Sequence, residues 1–379
     1  MQDLEAKIYD YLSAHEAEIL GDLEALVKAE SPTVDKEAVD ACGAVLRDLY
    51  EKRLGVASRV FPAQERGDNL CTEWGTGDRK LLILGHFDTV HPVGSVPLKR
   101  EGNRLYGPGV IDMKGGLTAV IWGLRALQEL GLDPKKKVVI VNNGDEEKGS
   151  NTSRSLIEQE AKGAVACLVA EPADPYTGKI KTSRKGCGHI DIICRGRAAH
   201  SGICPEKGIN ANIELAHQII ALENQSDYEG GTTYSVNLIS GGKVLNGVSD
   251  YAEAHVDWRI CKQEAVPVTE AYLAKMKPVL PGAQVEVKAT LNRPPLTETP
   301  ESLRLFALYQ KCAANLDFQA EKGARSGGGS DGNFTSGMGI PTLDGLGVTG
   351  DSQHTVNEVL YLDQLVQRIA ALAALILRI

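Results

Sequence analysis

The stretch Lys80-Leu81-Leu82-Ile83-Leu84-Gly85-His86-Phe87-Asp88-Thr89 decides how this chain is read. An unbroken run of branched aliphatic residues, with no polar alternation, suits a strand covered on both faces, as in a parallel sheet. The run ends at once in a glycine, an imidazole and a carboxylate. Two further runs repeat the arrangement: Val138–Val141 leads into Gly144-Asp145-Glu146-Glu147, and Cys167–Ala170 leads into Glu171-Pro172. Between them, Gly116–Leu130 carries a broad apolar face at helical spacing. Short buried strands separated by helices predict an α/β domain, its mostly parallel sheet covered by helices on both faces. In such sheets the site lies beyond the carboxyl ends of the strands, so the polar clusters are expected to converge.

Working outward, two helices are expected before the first strand, and Leu362–Leu377 closes the chain as another. From about Lys181 the texture changes. Tyr251–Ile260 alternates, with Ala252, Ala254, Val256, Trp258 and Ile260 on one face and Tyr251, Glu253, His255, Asp257 and Arg259 on the other. That is the period-two pattern of a sheet with one wet face. His189–Cys194 and Gln284–Thr290 alternate likewise, and Asn210–Leu222 reads as a helix. The expected organisation is a catalytic α/β domain in two parts, 1–180 and 294–379. Inserted between them, 181–293 forms a smaller α+β domain with an antiparallel sheet.

A length of 379 residues is comfortable for two domains, and 42% hydrophobic residues can bury a sizeable core. The formal charge of −9 argues against nucleic acid or an anionic membrane as the main partner. No apolar run approaches the ~18 residues of a membrane span. The N-terminal stretch has no signal-peptide pattern, and the eight cysteines are scattered without a Cys-x-x-Cys pair. Reduced thiols and a cytoplasmic location are the expectation.

Two more residues complete the candidate set. Asp112 lies in the Gly-rich loop Tyr106–Gly116, and His354 in Gly350-Asp-Ser-Gln-His354. Two imidazoles with several carboxylates suit a borderline divalent cation, zinc above all. A carboxylate can bridge two ions, so a paired-metal hydrolytic site is possible. His86 and Asp88, two residues apart, point the same way along an extended segment. Asp88 could therefore hold the ring nitrogen that a metal leaves free. Glu146 and Glu147 end a strand, where one can ligate while its neighbour accepts a proton. Taken singly, each piece has an ordinary reading: a surface His-Asp pair, a solvated acidic loop, an Asx turn at Asp112. Their coincidence at several strand ends is what carries weight. Gly327-Gly328-Gly329-Ser330-Asp331 has the look of a phosphate cradle, but no Gly-Lys-Ser/Thr follows it.

Gly-His86-Phe-Asp88-Thr-Val, Tyr-Gly-Pro-Gly-Val-Ile-Asp112-Met-Lys-Gly-Gly, Asp-Glu146-Glu147-Lys-Gly-Ser and Glu171-Pro together resemble the di-zinc aminoacylase and carboxypeptidase family. Ala199-His200-Ser-Gly, Gly-Gly-Gly-Ser330-Asp331 and the C-terminal His354 extend the match, in the family's order, along the whole chain. Glutamate carboxypeptidase is the nearest likeness within that family. The resemblance implies two zinc ions per chain, with cobalt or manganese as substitutes. One would be held by His86 and Glu171, the other by Glu147 and His354, with Asp112 bridging and a cis peptide after it. It implies Glu146 as general base, Asp88 as the group orienting His86, and His200 as oxyanion donor. Lys179, Asn246, Arg259 and Arg293 fall at or near substrate-contacting positions. The expected substrate is a small peptide or N-acyl amino acid that releases a C-terminal residue, with glutamate favoured. A homodimer through the inserted domain is also implied. An N-acyl amino acid deacylase or dipeptidase would share the chemistry. A non-catalytic metal-binding relative would have no use for Glu146.

Overall fold

The computed structural model describes residues 4–174 and 177–379. The chain divides into two compact units. The first runs to Ser183 and includes Glu298–Ser326 and Ser330–Ile379; the second is Arg184–Thr297 with Gly327–Gly329. The sequence reading put the junctions at 181 and 293 and did not assign the three glycines to the insertion. Among the described residues, no helix is long and apolar enough to cross a membrane.

Among the described residues three helices, not two, precede the first strand: α1 (Leu4–Ala14), α2 (Glu16–Lys28) and α3 (Lys36–Leu54). The extra break falls at His15, whose backbone leaves the helical region at φ −113° and ψ 14°. Its ring Nδ1 lies 2.7 Å from the Tyr11 carbonyl, a side-chain partner for that end of α1. Then follow β1 (Ser58–Phe61), β2 (Gly67–Trp74), β3 (Arg79–His86), β4 (Lys99–Glu101), β5 (Arg104–Tyr106), α4 (Gly115–Glu129), β6 (Lys136–Gly144), α5 (Arg154–Ala161) and β7 (Ala164–Val169). The second unit supplies β8 (Gly186–Arg195), α6 (Ala211–Glu223), β9 (Thr233–Gly241), β10 (Tyr251–Ile260), α7 (Ala265–Leu273) and β11 (Gln284–Arg293). The chain returns through α8 (Pro300–Ala314), α9 (Gly332–Gly337), β12 (Thr342–Leu343), β13 (Gly350–Asp351), β14 (Val359–Tyr361) and α10 (Leu365–Arg378).

In the first unit the large sheet has the order β1-β2-β6-β3-β7-β12. Its β6-β3-β7-β12 half is parallel, and β2 and β1 join antiparallel at one edge. The uninterrupted apolar runs are explained by two separate cores. Leu81, Ile83, Val138, Ile140, Ala166 and Leu168 pack in one cluster with α1–α4, α8 and α10. Leu82, Leu84, Val139, Val141, Cys167 and Val169 pack in another with Leu156 and Ile157 of α5 and with Phe334 of α9. Each strand residue is thus apolar because each face has its own helical layer, and each Val, Leu or Ile side chain so buried contributes ~1.5–3 kcal/mol. A smaller antiparallel sheet, β13-β14-β5-β4, belongs to the same unit.

The second unit is a four-stranded antiparallel sheet, β11-β8-β10-β9. Ala252, Ala254, Val256, Trp258 and Ile260 of β10 are buried against Leu215 and Leu222 of α6 and Val266 and Leu273 of α7. The alternate residues of β10 face outward, as the period-two pattern predicts. Strand β9 forms one edge of this sheet.

Candidate metal centre

Parallel pairing brings three strand ends together. His86 at the end of β3 is in register with Asn143 of β6, and Leu84 with Val169 of β7. The ladder continues past the strands: the Phe87 N–H donates to the Asn143 carbonyl at 3.0 Å, and the Ala170 N–H to the Leu84 carbonyl at 3.0 Å. Glu146 and Glu147 follow β6 in a single 3-10 turn, and Glu171 lies just beyond β7. Asp112 enters from the turn Val110–Lys114 that leads into α4, with a cis peptide to Met113. Gly116 in the first turn of α4 is essential to that entry. A Cβ there would sit 1.8 Å from the Ala170 carbonyl oxygen, so only glycine lets the helix start abut the end of β7. His354 comes from the loop between β13 and β14 at φ +61°.

The side chains converge as two groups that share Asp112. His86, Asp112 and Glu171 form one, and Asp112, Glu147 and His354 the other, each with its ligand atoms within 4.8 Å of one another. His86 Nε2 lies 3.1 Å from Asp112 Oδ1 and 3.4 Å from Glu171 Oε1. His354 Nε2 lies 3.3 Å from Asp112 Oδ2 and 3.3 Å from Glu147 Oε2. The two oxygens of Asp112 therefore serve different groups, the arrangement a bridging carboxylate needs. Glu147 Oε1 is buried without a hydrogen-bond partner, a cost that a cation at this point would remove.

Electrostatics say the same. Burial disfavours a charged His86 ring, yet Asp112, Asp88 and Glu171 together hold its pKa well above the usual imidazole value. His354 is raised to about 11 by Asp112 and Glu147, against the effect of burial. Burial works to raise the pKa of Asp112, but His354 and His86 drive it far below the ordinary carboxylate range. Glu147 moves up, through burial and then the nearby Asp112 charge, despite His354. The cluster is a set of carboxylates drawing in positive charge, and oxygen and imidazole donors in this mixture fit divalent ions such as zinc.

Asp88 is fully buried and does more than face His86. Its Oδ1 is 3.3 Å and its backbone oxygen 3.0 Å from His86 Nδ1. It also accepts from Thr33 Oγ1 at 2.8 Å and from the N–H groups of Glu146 and Glu147 at 3.2 Å each. One carboxylate thus ties the His86 ring to the Glu146-Glu147 turn. Two residues beside the centre were not anticipated from sequence. Gln353 Nε2 donates to Asp112 Oδ2 at 3.2 Å, and the buried Glu358 accepts from backbone N–H groups of the Asp112 turn. Glu358 stands four residues after His354, and that proximity is the only signal the sequence offers. The Ser330-Asp331 pair has a structural use here: Ser330 donates to Asp344, and Asp331 accepts from Ser150 and Asn143 behind the Glu146-Glu147 turn.

The remaining residues singled out from sequence have the following local partners. Lys179, in the first unit, pairs with Glu321 at 2.9 Å. His200, Asn246, Arg259 and Arg293 belong to the second unit. His200 is exposed, its Nδ1 accepting from the Gly202 N–H at 3.1 Å, and the adjacent Ser201 N–H donates to the Asn246 carbonyl at 3.0 Å. Arg259 has its fork engaged on Asp257, at 2.7 and 2.8 Å. Arg293 is buried and donates to Asn292 Oδ1 at 3.2 Å.

An α/β sheet with a paired-metal cluster at its strand ends, interrupted by an antiparallel insertion, defines a metallopeptidase-like hydrolase. Residues 82–378 match peptidase family M20/M25/M40, and the chain belongs to that family. It is a hydrolase of peptide or amide bonds. Carboxypeptidase G2 of Pseudomonas sp. (strain RS-16) is 30% identical over 351 residues, covering 89% of this chain and 83% of that protein. A probable succinyl-diaminopimelate desuccinylase of Staphylococcus aureus (strain MRSA252) is 23% identical over 326 residues, covering 76% and 79%. The structure of Bacillus subtilis YXEP, a dinuclear metal-binding peptidase of the M20 family, superposes with a TM-score of 0.71 at 17% identity, covering 97% and 98%. The last likeness confirms the fold expected from the strand pattern.

Proposed function

We propose that this protein is a two-zinc hydrolase that releases a C-terminal amino acid, glutamate favoured, from a small peptide or N-acyl conjugate. The observation that carries the reading is the sharing of Asp112 between two ligand groups, with Glu146 beside one of the ligands on the same strand exit. His86 and Glu171 would hold one ion, Glu147 and His354 the other, with Asp112 between. When bound, such a pair lowers the pKa of water and polarises a scissile carbonyl. Glu146 takes a proton from the attacking water and delivers it to the leaving nitrogen. Asp88 keeps His86 in one orientation and fixes the backbone from which Glu146 projects. His200 donates to the oxyanion. Arg293 receives the substrate carboxylate on its planar fork, with Asn246, Lys179 and Arg259 contributing contacts. The 30% identity to carboxypeptidase G2 supports the carboxypeptidase class. We also propose a cytoplasmic homodimer. The edge strand β9, with Leu238 and Ile239 exposed, supports pairing through the second unit.

The test is release of free amine from folyl-glutamate, other N-acyl amino acids and dipeptides, by protein loaded with zinc or cobalt and by protein stripped with chelator. Preference for a C-terminal glutamate, lost on stripping and restored by metal, is the expected result. Preference for succinylated or acetylated substrates would move the protein to the deacylases, and full activity after stripping would end the reading.

A further inference from the structure

Glu358 is 1% exposed, and a carboxylate so deeply placed is costly unless its oxygens are well satisfied. They are. Oε1 accepts from the N–H groups of Ile111 at 3.0 Å and Asp112 at 3.1 Å. Oε2 accepts from Gly109 N–H at 3.2 Å and faces the buried His91 Nε2 at 2.6 Å. Elsewhere in the turn the Val110 N–H donates to the Gly107 carbonyl at 3.2 Å and the Lys114 N–H to the Gly109 carbonyl at 2.9 Å. The backbone that presents Asp112 is therefore set chiefly by one side chain from a segment 246 residues away. That segment is the one carrying His354. His91 comes from a third, the exit of β3 that holds His86 and Asp88. The pair His91–Glu358 thus joins the segments that supply the first group, the bridge and the second group.

We propose that Glu358, held by His91, is a positioning residue that fixes the shared carboxylate and the His354 loop in the one arrangement able to take two ions. The proposal rests on the two-metal reading above and adds to it the device that keeps the ligand segments in register. Both oxygens must be acceptors. A glutamine in place of Glu358 would set an N–H₂ against the donors on one side, either Gly109 and His91 or Ile111 and Asp112. The turn would then shift, and Asp112 would no longer offer one oxygen to each group. Partners that orient ligands in this way typically affect metal affinity by ~10–100-fold.

The experiment is a cobalt titration of chelator-stripped full-length protein, followed by visible absorption and by direct metal analysis. Wild type should take up two ions. Glu358→Gln, with an unchanged circular dichroism spectrum, should bind the second ion ~10–100-fold more weakly and show an altered cobalt spectrum. His91→Ala should shift affinity in the same direction, and His91→Gln, which restores an N–H donor to Glu358, should recover most of the loss. A purely structural role would lower thermal stability while leaving the cobalt spectrum and the rescue pattern unmoved. A folded Glu358→Gln with wild-type affinity and spectrum overturns the proposal. Should that variant not fold, the His91 pair decides, and wild-type affinity in His91→Ala overturns it equally. Failure of wild type to take up two ions would instead overturn the two-metal reading, and the proposal with it.

Discussion

In β3 every residue from Leu81 to His86 is buried, whereas in β10 alternate residues face outward along the whole strand. Both segments carry histidine and sit close to aspartate, but in opposite circumstances. The first sheet is covered on both faces, so its polar residues can gather only where the strands stop. There four carboxylates and two imidazoles lie close enough to act strongly on one another. The second sheet spreads its polar residues over a wet face, where they settle in local pairs: His255 with Asp191 at 2.8 Å, Arg259 with Asp257 at 2.7 Å. Such pairs, about half open to solvent at His255 and about a third open at Arg259, are screened far more than the buried cluster. Identical residue types become a metal centre in one place and a solvated surface in the other, and the difference is how the sheet is covered.

The sharpest test of that contrast removes one aspartate from each sheet. Asp112→Ala takes away the shared ligand, so both ions should be lost and hydrolysis should fall to background. Asp191→Ala should leave metal content at the wild-type level. Metal analysis and an amine-release assay on the two variants check this. Equal metal content in both would break the comparison.

Next in size is Glu146→Gln, which separates ligation from proton transfer at the same strand end. Turnover should fall by ~10²–10⁴-fold while two ions remain bound. If Glu146→Gln loses an ion and Glu147→Gln does not, the two glutamates have exchanged roles.

A smaller effect is expected in the second unit. Arg293, at the end of β11, is buried where most polar residues of its sheet are wet. If it reads the substrate carboxylate, Arg293→Ala should weaken carboxylate substrates by roughly 10–100-fold relative to their amide-capped forms, the range of a charge-assisted pair. Equal loss on both substrates would assign it to the packing of its own unit.

These assignments were legible in the sequence to different depths, for physical reasons. Unbroken runs such as Leu81–Leu84 announce a strand with two covered faces, and the polar cluster after each run marks the site because register is local. The alternation of β10 is as direct. The break at His15 was hidden because α1 and α2 continue one amphipathic pattern, and only the His15 ring on the Tyr11 carbonyl marks the turn. Glu358 was hidden for a different reason. Its partners Gly109, Ile111 and Asp112 lie about 250 residues earlier, and no periodicity reports a side chain reaching that far. The Gly327–Asp331 run is the converse case: it has the look of a phosphate cradle, yet its Ser330 and Asp331 side chains are engaged by Asp344, Ser150 and Asn143.

The mildest effect concerns how the strand-end cluster behaves without metal. His354 is held at about 11, chiefly by Asp112 and then Glu147, while an unfolded histidine titrates near 6.5. A group whose folded pKa is raised contributes stability that is fully present below its unfolded pKa. That contribution then declines as pH climbs toward the folded value. Chelator-stripped protein should therefore lose thermal stability progressively between about pH 6.5 and 11, measured as Tm at fixed ionic strength. The His354 side chain is 53% exposed, so screening keeps the shift small. His354→Gln should flatten the slope without abolishing it, because His86 is raised too. Metal affinity should run the other way and strengthen with rising pH, since each ring must give up its proton to ligate. Opposite slopes for stripped stability and metal affinity are what a carboxylate cluster that holds protonated imidazoles requires. A stripped-protein Tm that does not fall across that range would show that Asp112 and Glu147 do not hold the His354 proton.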